Sequence, residues 1–191
     1  MVRDGRGHGG WRWGARSFTL ALSVGVALVA LGAGGCRGQA AGGEAAAGAR
    51  GREGAPLPDY RFTALDGTRL DRDALRGKVV VVDFWDTWCG PCLRALPHLK
   101  AISAAHPEVV VIGVALAQEG EAKVRQVVRD QGLPFPVCLF PAQGDLGPAF
   151  GDIDALPTTF LVGPDGVIRR RWVGAQSEQT YENAVREALG S

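Results

Sequence analysis

Val82-Asp83-Phe84-Trp85-Asp86-Thr87-Trp88-Cys89-Gly90-Pro91-Cys92 is the stretch on which the reading of this chain turns. It continues Lys78-Val79-Val80-Val81, and the joined run is β-branched and apolar on both faces. Such a run predicts a central strand covered on both sides. A helix is predicted from about Gly90 to Ala105, so the strand feeds directly into a C-x-x-C at a helix start. A helix N-terminus presents unpaired N–H groups and a partial positive charge. A thiolate placed there is stabilised and becomes a good nucleophile. Cys89, at the exposed end, is predicted to attack a disulfide. Cys92, one turn in, is predicted to resolve the mixed disulfide. Gly90 lets the turn close, and Pro91 suits the first helical turn, where no N–H partner is needed. Trp88 offers a flat apolar wall beside the thiols.

C-x-x-C also occurs in zinc sites, but those add a second pair of ligands. No second C-x-x-C follows, and His98 and His106 lie two helical turns apart. A redox dithiol is the better reading, with no metal and no cofactor expected. Cys138 sits in an apolar segment and reads as a small core residue.

Outward from the dithiol, Tyr60-Arg61-Phe62-Thr63-Ala64-Leu65 alternates like a strand, and Asp66-Gly67 is a turn signal. Asp71 to Arg76 suggests a short helical turn closed by Gly77. Val109 to Ala115 is a second buried strand. Glu119 to Gln131 reads as an amphipathic helix with Val124, Val127 and Val128 on one side and Gly132 after it. Phe135 to Phe140 is a short extended segment, and Asp145 to Phe150 suggests a helical turn. Gly163-Pro164-Asp165-Gly166 separates two further strand-like runs, Thr158 to Val162 and Val167 to Val173. A last helix is predicted from Ser177, a plausible N-cap, to Leu189. Arg169-Arg170-Arg171 reads as an exposed edge, where charge discourages aggregation. This order predicts an α/β sandwich with a mixed sheet.

The first third has a different character. Four arginines precede the apolar stretch from Phe18 to Leu31, which is short for a bilayer span of ~20 residues. Small residues then lead to Cys36. Residues 1–35 thus read as an export signal. The order resembles a bacterial lipoprotein signal, in which the cysteine becomes the lipidated first residue. Ala33 stands where such signals usually carry Leu, and the alternatives are an uncleaved anchor helix or ordinary cleavage. Residues 36–56 are rich in Gly and Ala and read as a flexible tether. Residues 57–191 are expected to form the folded domain. The net charge of +1 over 191 residues gives no reason to expect a nucleic-acid partner.

The strand and loop from Val82 to Cys92 resemble the active-site segment of the thioredoxins. Pro97 matches the proline that kinks their active-site helix, and Leu156-Pro157-Thr158-Thr159-Phe160 matches their cis-proline segment. The leading strand, the insertion around Glu119 to Phe140, and the exported layout resemble the extracytoplasmic TlpA/ResA type. The resemblance implies a thioredoxin-like three-layer sandwich, a mixed β-sheet flanked by helices with an extra N-terminal hairpin. It implies a cis Pro157, and a substrate backbone held by Leu156, Pro157 and Thr158 beside Trp88, Gly90 and Pro91. It implies that Asp83 relays a proton to and from Cys92; a carboxylate buried behind an apolar strand can do this near neutrality. It implies a membrane-tethered reductase of disulfides in exported proteins, apocytochromes c among them, recharged by a membrane electron donor.

Two departures stand out. Most members of that exported group carry Asn at the place of Asp83, and many carry Glu at the place of Ala95. Asp86 occupies a place where a small residue is common, and a charge there would disfavour a Cys89 thiolate if it pointed at it. Two other functions compete. A peroxiredoxin-like thiol peroxidase would carry Thr three residues before its reactive cysteine, with Pro before that, where Asp86 and Phe84 stand. A non-enzymatic metal-binding thiol module is the other.

Overall fold

The structure is a computed structural model that describes residues 51–57, 59–140 and 150–190. The expected signal, Cys36, the tether as far as residue 50, and the helical turn expected before Phe150 lie outside the described residues.

The described residues form strands β1 (Arg61–Thr63), β2 (Arg69–Asp71), β3 (Val80–Trp85), β4 (Val110–Ala115), β5 (Val137–Leu139), β6 (Thr158–Val162) and β7 (Ile168–Val173). Their helices are α1 (Gly90–Ala105), α2 (Glu121–Gln131) and α3 (Glu178–Leu189). The main sheet has the order β5-β4-β3-β6-β7, with β3 at its centre. β3 runs parallel to β4 and antiparallel to β6, so the sheet is mixed. This is the thioredoxin-like fold, with β1 and β2 as its extra antiparallel hairpin.

β3 is buried at every position because both of its faces are covered. Side chains alternate across a strand, so Val81, Asp83 and Trp85 face one side and Val80, Val82 and Phe84 the other. The first side holds one core with Cys92, Leu96, Leu99 and Ile102 of α1, Val124 of α2 and Tyr181 and Val185 of α3. The second side packs on Leu57, Phe62 and Leu75 from the N-terminal segment, and on Phe150 and Phe160. Phe84 meets Phe150 and Phe160 edge-on at 5.3 and 5.8 Å, the arrangement that ring quadrupoles favour.

Local chemistry sets the helix ends. Ser177 caps α3 by accepting from Thr180 N–H. α2 stops at Gly132, which takes the left-handed conformation (φ 56°) that a C-terminal glycine adopts at little cost. Where a helical turn was expected, Asp71 to Arg76 form a turn: the Asp71 carboxylate accepts from Ala74 N–H and its carbonyl from Leu75 N–H. Asp71 uses both acceptors on the first turn, and Gly77 (φ 75°) then bends the chain into β3.

The end of the expected tether lies on the sheet. Gly54 N–H donates to Ile168 C=O, Ile168 N–H to Ala55 C=O and Leu57 N–H to Gly166 C=O. Residues 53–57 therefore pair along part of the outer edge of β7, and Glu53 accepts from Arg171 N–H. The three arginines of β7 are also engaged rather than free: Arg169 pairs with Asp165, Arg170 with Glu187, and Arg171 lies over the Phe160 ring.

Candidate active site

β3, β4 and β6 present the same sheet end to one another. Trp85 is level with Ala115, and Phe84 with Thr158. The loops that leave this end carry Asp86 to Cys89, Leu116 to Gly120, and Ala155 to Pro157.

Cys89 and Cys92 form a disulfide. Cys89 is the N-cap of α1, and its Sγ accepts from Cys92 N–H at 3.2 Å. A thiolate at Cys89 would keep that donor and face the positive end of a 16-residue helix. Cys89 is 4% exposed and Cys92 fully buried, so Cys89 is the more accessible of the two sulfurs. Gly90 and Pro91 are exposed on the first turn, and Trp88, 54% exposed, stands beside them in the sequence. Pro97 lies within α1.

The Leu156–Pro157 peptide is cis. Pro157 C=O accepts from Gly174 N–H. Leu156 is half-buried against the core that contains both cysteines, and its backbone N–H and C=O have no partner among the described residues. Thr158 differs from the expectation of a substrate contact. It is fully buried, it is paired by β6 to strands on both sides, and its hydroxyl donates to Ala155 C=O at 2.7 Å. Its side chain closes the turn that contains the cis bond.

Asp83 is fully buried on the face of β3 that meets α1 and α3. Oδ1 accepts from the Thr159 hydroxyl at 2.7 Å, and Oδ2 has no partner among the described residues. Burial pushes its pKa up to about 7, against the opposing effect of the Thr159 bond. A carboxyl group that titrates there can exchange a proton near neutrality.

Asp86 points away from the role that its charge suggested. It too is buried, and its carboxylate accepts from Thr87 N–H (2.7 Å), Trp88 Nε1 (3.0 Å) and Gln118 N–H (3.1 Å). It therefore ties the indole of Trp88 and the loop after β4 to the strand end, and its charge is spent on these donors. The loop it holds includes Ala117, in the left-handed region at φ 57°. Thr87 adds a second tie through its hydroxyl to Glu119.

Thr159, Tyr181 and Gln118 were not legible as site residues. Thr159 could have been found by aligning the hairpin register on Asp83, because the two face each other across β3 and β6. Tyr181 and Gln118 arrive from distant elements and carry no local signal. Cys138 is a free, buried thiol in the middle of β5, and burial pushes its pKa up to about 12, so it is inert as a nucleophile. His106 is largely buried and bonds Glu182 of α3 at 2.9 Å, joining the two helices.

Comparison with known proteins agrees with this geometry. The Redoxin family model matches residues 52–189. The thiol–disulfide oxidoreductase ResA of Bacillus thuringiensis is 32% identical over 135 residues, covering 70% of this chain and 77% of that protein. ResA of Bacillus subtilis is 30% identical over 141 residues, covering 70% and 76%. A thioredoxin-family thiol:disulfide interchange protein from Chlorobium tepidum superimposes with a TM-score of 0.65 at 27% identity, covering 73% of this chain and 99% of that one. With the dithiol at the N-terminus of a helix and a cis proline at the same sheet end, the chain belongs to the redoxin family of the thioredoxin superfamily, as a ResA-type thiol–disulfide oxidoreductase.

Proposed function

We propose that this oxidoreductase works as a reductant, transferring electrons from Cys89 and Cys92 to disulfides in exported proteins, apocytochromes c among them. The observation that carries the direction is Gly90-Pro91 between the cysteines, the pair that the thioredoxins carry. Strong oxidants owe their potential to a reduced form held by strong thiolate stabilisation. Among the described residues Cys89 Sγ accepts one hydrogen bond, from Cys92 N–H at the helix N-terminus.

The Cys89 thiolate attacks one sulfur of the substrate disulfide, forms a mixed disulfide and releases the other sulfur as a thiolate. Cys92 gives its proton to Asp83, attacks Cys89 Sγ, and closes the Cys89–Cys92 disulfide as the second substrate thiolate leaves. Two electrons pass to the substrate. A membrane electron donor then reduces the pair. Leu156 offers its backbone N–H and C=O to an extended substrate segment, Pro157 stands beside it, and Trp88 offers its exposed face. The potential of the couple tests the direction by equilibration against glutathione. A value near −270 mV, about that of thioredoxin, is expected; one near −120 mV, about that of a strong oxidant, would reverse the assignment.

We place the protein outside the cytoplasm, held by lipid at Cys36, on the basic, apolar and small-residue order of residues 1–36. Among the described residues no helix is long and apolar enough to cross a membrane. Metabolic labelling with a radioactive fatty acid is expected to mark the wild-type protein and not Cys36→Ala. Equal labelling of both, or of neither, would refute the lipid anchor.

A further inference from the structure

Asp83 is not alone in its buried site. Thr159 Oγ1 donates to Asp83 Oδ1 at 2.7 Å, and Tyr181 Oη lies 3.2 Å from the same hydroxyl. A threonine hydroxyl has one proton and two lone pairs. Its proton is committed to Asp83, so Tyr181 is the donor in the second bond. The protons thus run in one direction, from Tyr181 through Thr159 to Asp83 Oδ1. Asp83, Thr159 and Tyr181 are all buried, so water does not compete for these bonds. Tyr181 stays a donor throughout the working range, because burial pushes its pKa up to about 12.

We propose that Thr159 and Tyr181 are positioning residues that keep Asp83 Oδ1 occupied as an acceptor, reserve Oδ2 as the oxygen that carries the proton, and so set how tightly Asp83 holds it. The inference rests on the reading of Asp83 as proton acceptor for Cys92. Oδ2 has no partner among the described residues, and Asp83 lies on the face of β3 that meets the core containing Cys92. In the step itself the Cys92 thiol loses its proton, Oδ2 gains it, and the neutral carboxylic acid and the thiolate are the products. On this face of β3, Asp83 has Gly113 of β4 and Thr159 of β6 as register partners and Tyr181 of α3 behind Thr159, and Cys92 of α1 belongs to the core on the same side. No formal charge is among them, so the hydroxyl chain is the local means of favouring the carboxylate. Bonds of this kind strengthen one another in a dry site.

The test is titration of the Asp83 carboxyl by carbon-13 NMR in the full chain with the disulfide closed, where neither catalytic cysteine titrates. Thr159→Val keeps the shape and removes the donor. It is expected to make Asp83 bind its proton about tenfold or more tightly. Tyr181→Phe should give a smaller change in the same direction, and Thr159→Ser should restore the wild-type midpoint. An unchanged midpoint in Thr159→Val, or no restoration by Ser, overturns the inference. Should Thr159→Val fold poorly, Tyr181→Phe and Thr159→Ser decide: the inference requires an upward shift in the first and none in the second. The pH profile of insulin reduction separates this inference from the reading it rests on. A carboxyl midpoint that moves while the acid limb of the profile stays put refutes the relay and leaves the positioning role supported. A midpoint that does not move refutes the positioning role, whatever the profile shows.

Discussion

Cys89→Ser is expected to abolish disulfide reduction, with kcat/KM for insulin falling by at least about a thousandfold, the scale on which loss of a covalent nucleophile falls. The serine hydroxyl is not ionised at neutral pH and cannot form the S–S bond on which turnover depends. The partner substitution behaves differently. Cys92→Ala leaves Cys89 at the helix N-cap, so the first attack still occurs, but nothing resolves the product. Mixed disulfides with substrate proteins should accumulate and be released by a small thiol. Cys92 is fully buried and Cys89 is not, which is why trapping is expected through Cys89 alone. Trapping by Cys89→Ser and not by Cys92→Ala would reverse the assignment of nucleophile and resolving thiol.

Asp83→Asn should make the protein more stable and less active. Asp83 has its pKa raised by burial to about 7, well above the value of an unfolded carboxyl. At pH 3 the group is neutral in both states and costs nothing. Between about pH 4 and 7 the unfolded chain releases the proton and the folded one retains it, so stability falls as pH rises. Above about 7 the buried carboxylate is charged and the loss is complete, at about 4 kcal/mol. Asparagine has no proton to release and still accepts from Thr159. The oxidised Asp83→Asn protein should therefore match wild type in denaturant unfolding near pH 4 and exceed it by about 4 kcal/mol at pH 8. Its reduction of insulin should drop by about 10²-fold or more, the scale of a lost general base. Equal stability at both pH values would mean that the carboxylate is not held in a dry site. Full activity would mean that Cys92 loses its proton elsewhere.

Such a cost persists where a site uses the group, and the two buried aspartates of this strand and loop differ on that point. Asp86 accepts three N–H bonds and is a structural tie. Asp83 accepts one bond and has an oxygen without a partner among the described residues. The sequence places both beside the dithiol and only the resemblance singles out Asp83; their bonding differs because of Gln118 and Thr159.

Much of the fold could be read from local pattern. The β-branched run of β3, the amphipathic repeat of α2 and the Ser177 cap of α3 are written in neighbouring residues, because strand burial, helix faces and caps depend on spacings of a few positions. The C-x-x-C at a strand-to-helix junction is equally local, and with the proline segment around Pro157 it carried the reading to a thiol–disulfide oxidoreductase. Elsewhere longer-range bonds decided. Residues 53–56 read as tether because they lack large apolar side chains, yet this stretch pairs its backbone with β7, and backbone pairing leaves little trace in composition. Thr158 matched a substrate-binding segment, but its place between β3 and β7 turns its hydroxyl inward.

The sequence alone determined which sulfur chemistry this protein has, since a thiolate at a helix N-terminus needs only a strand, two cysteines at the right spacing and a helix. Tertiary structure alone decided how the buried carboxyl behind that dithiol is held. Asp83, Thr159 and Tyr181 lie on three elements separated by most of the domain, and only the closed sheet and α3 bring their oxygens within hydrogen-bond distance in a buried site.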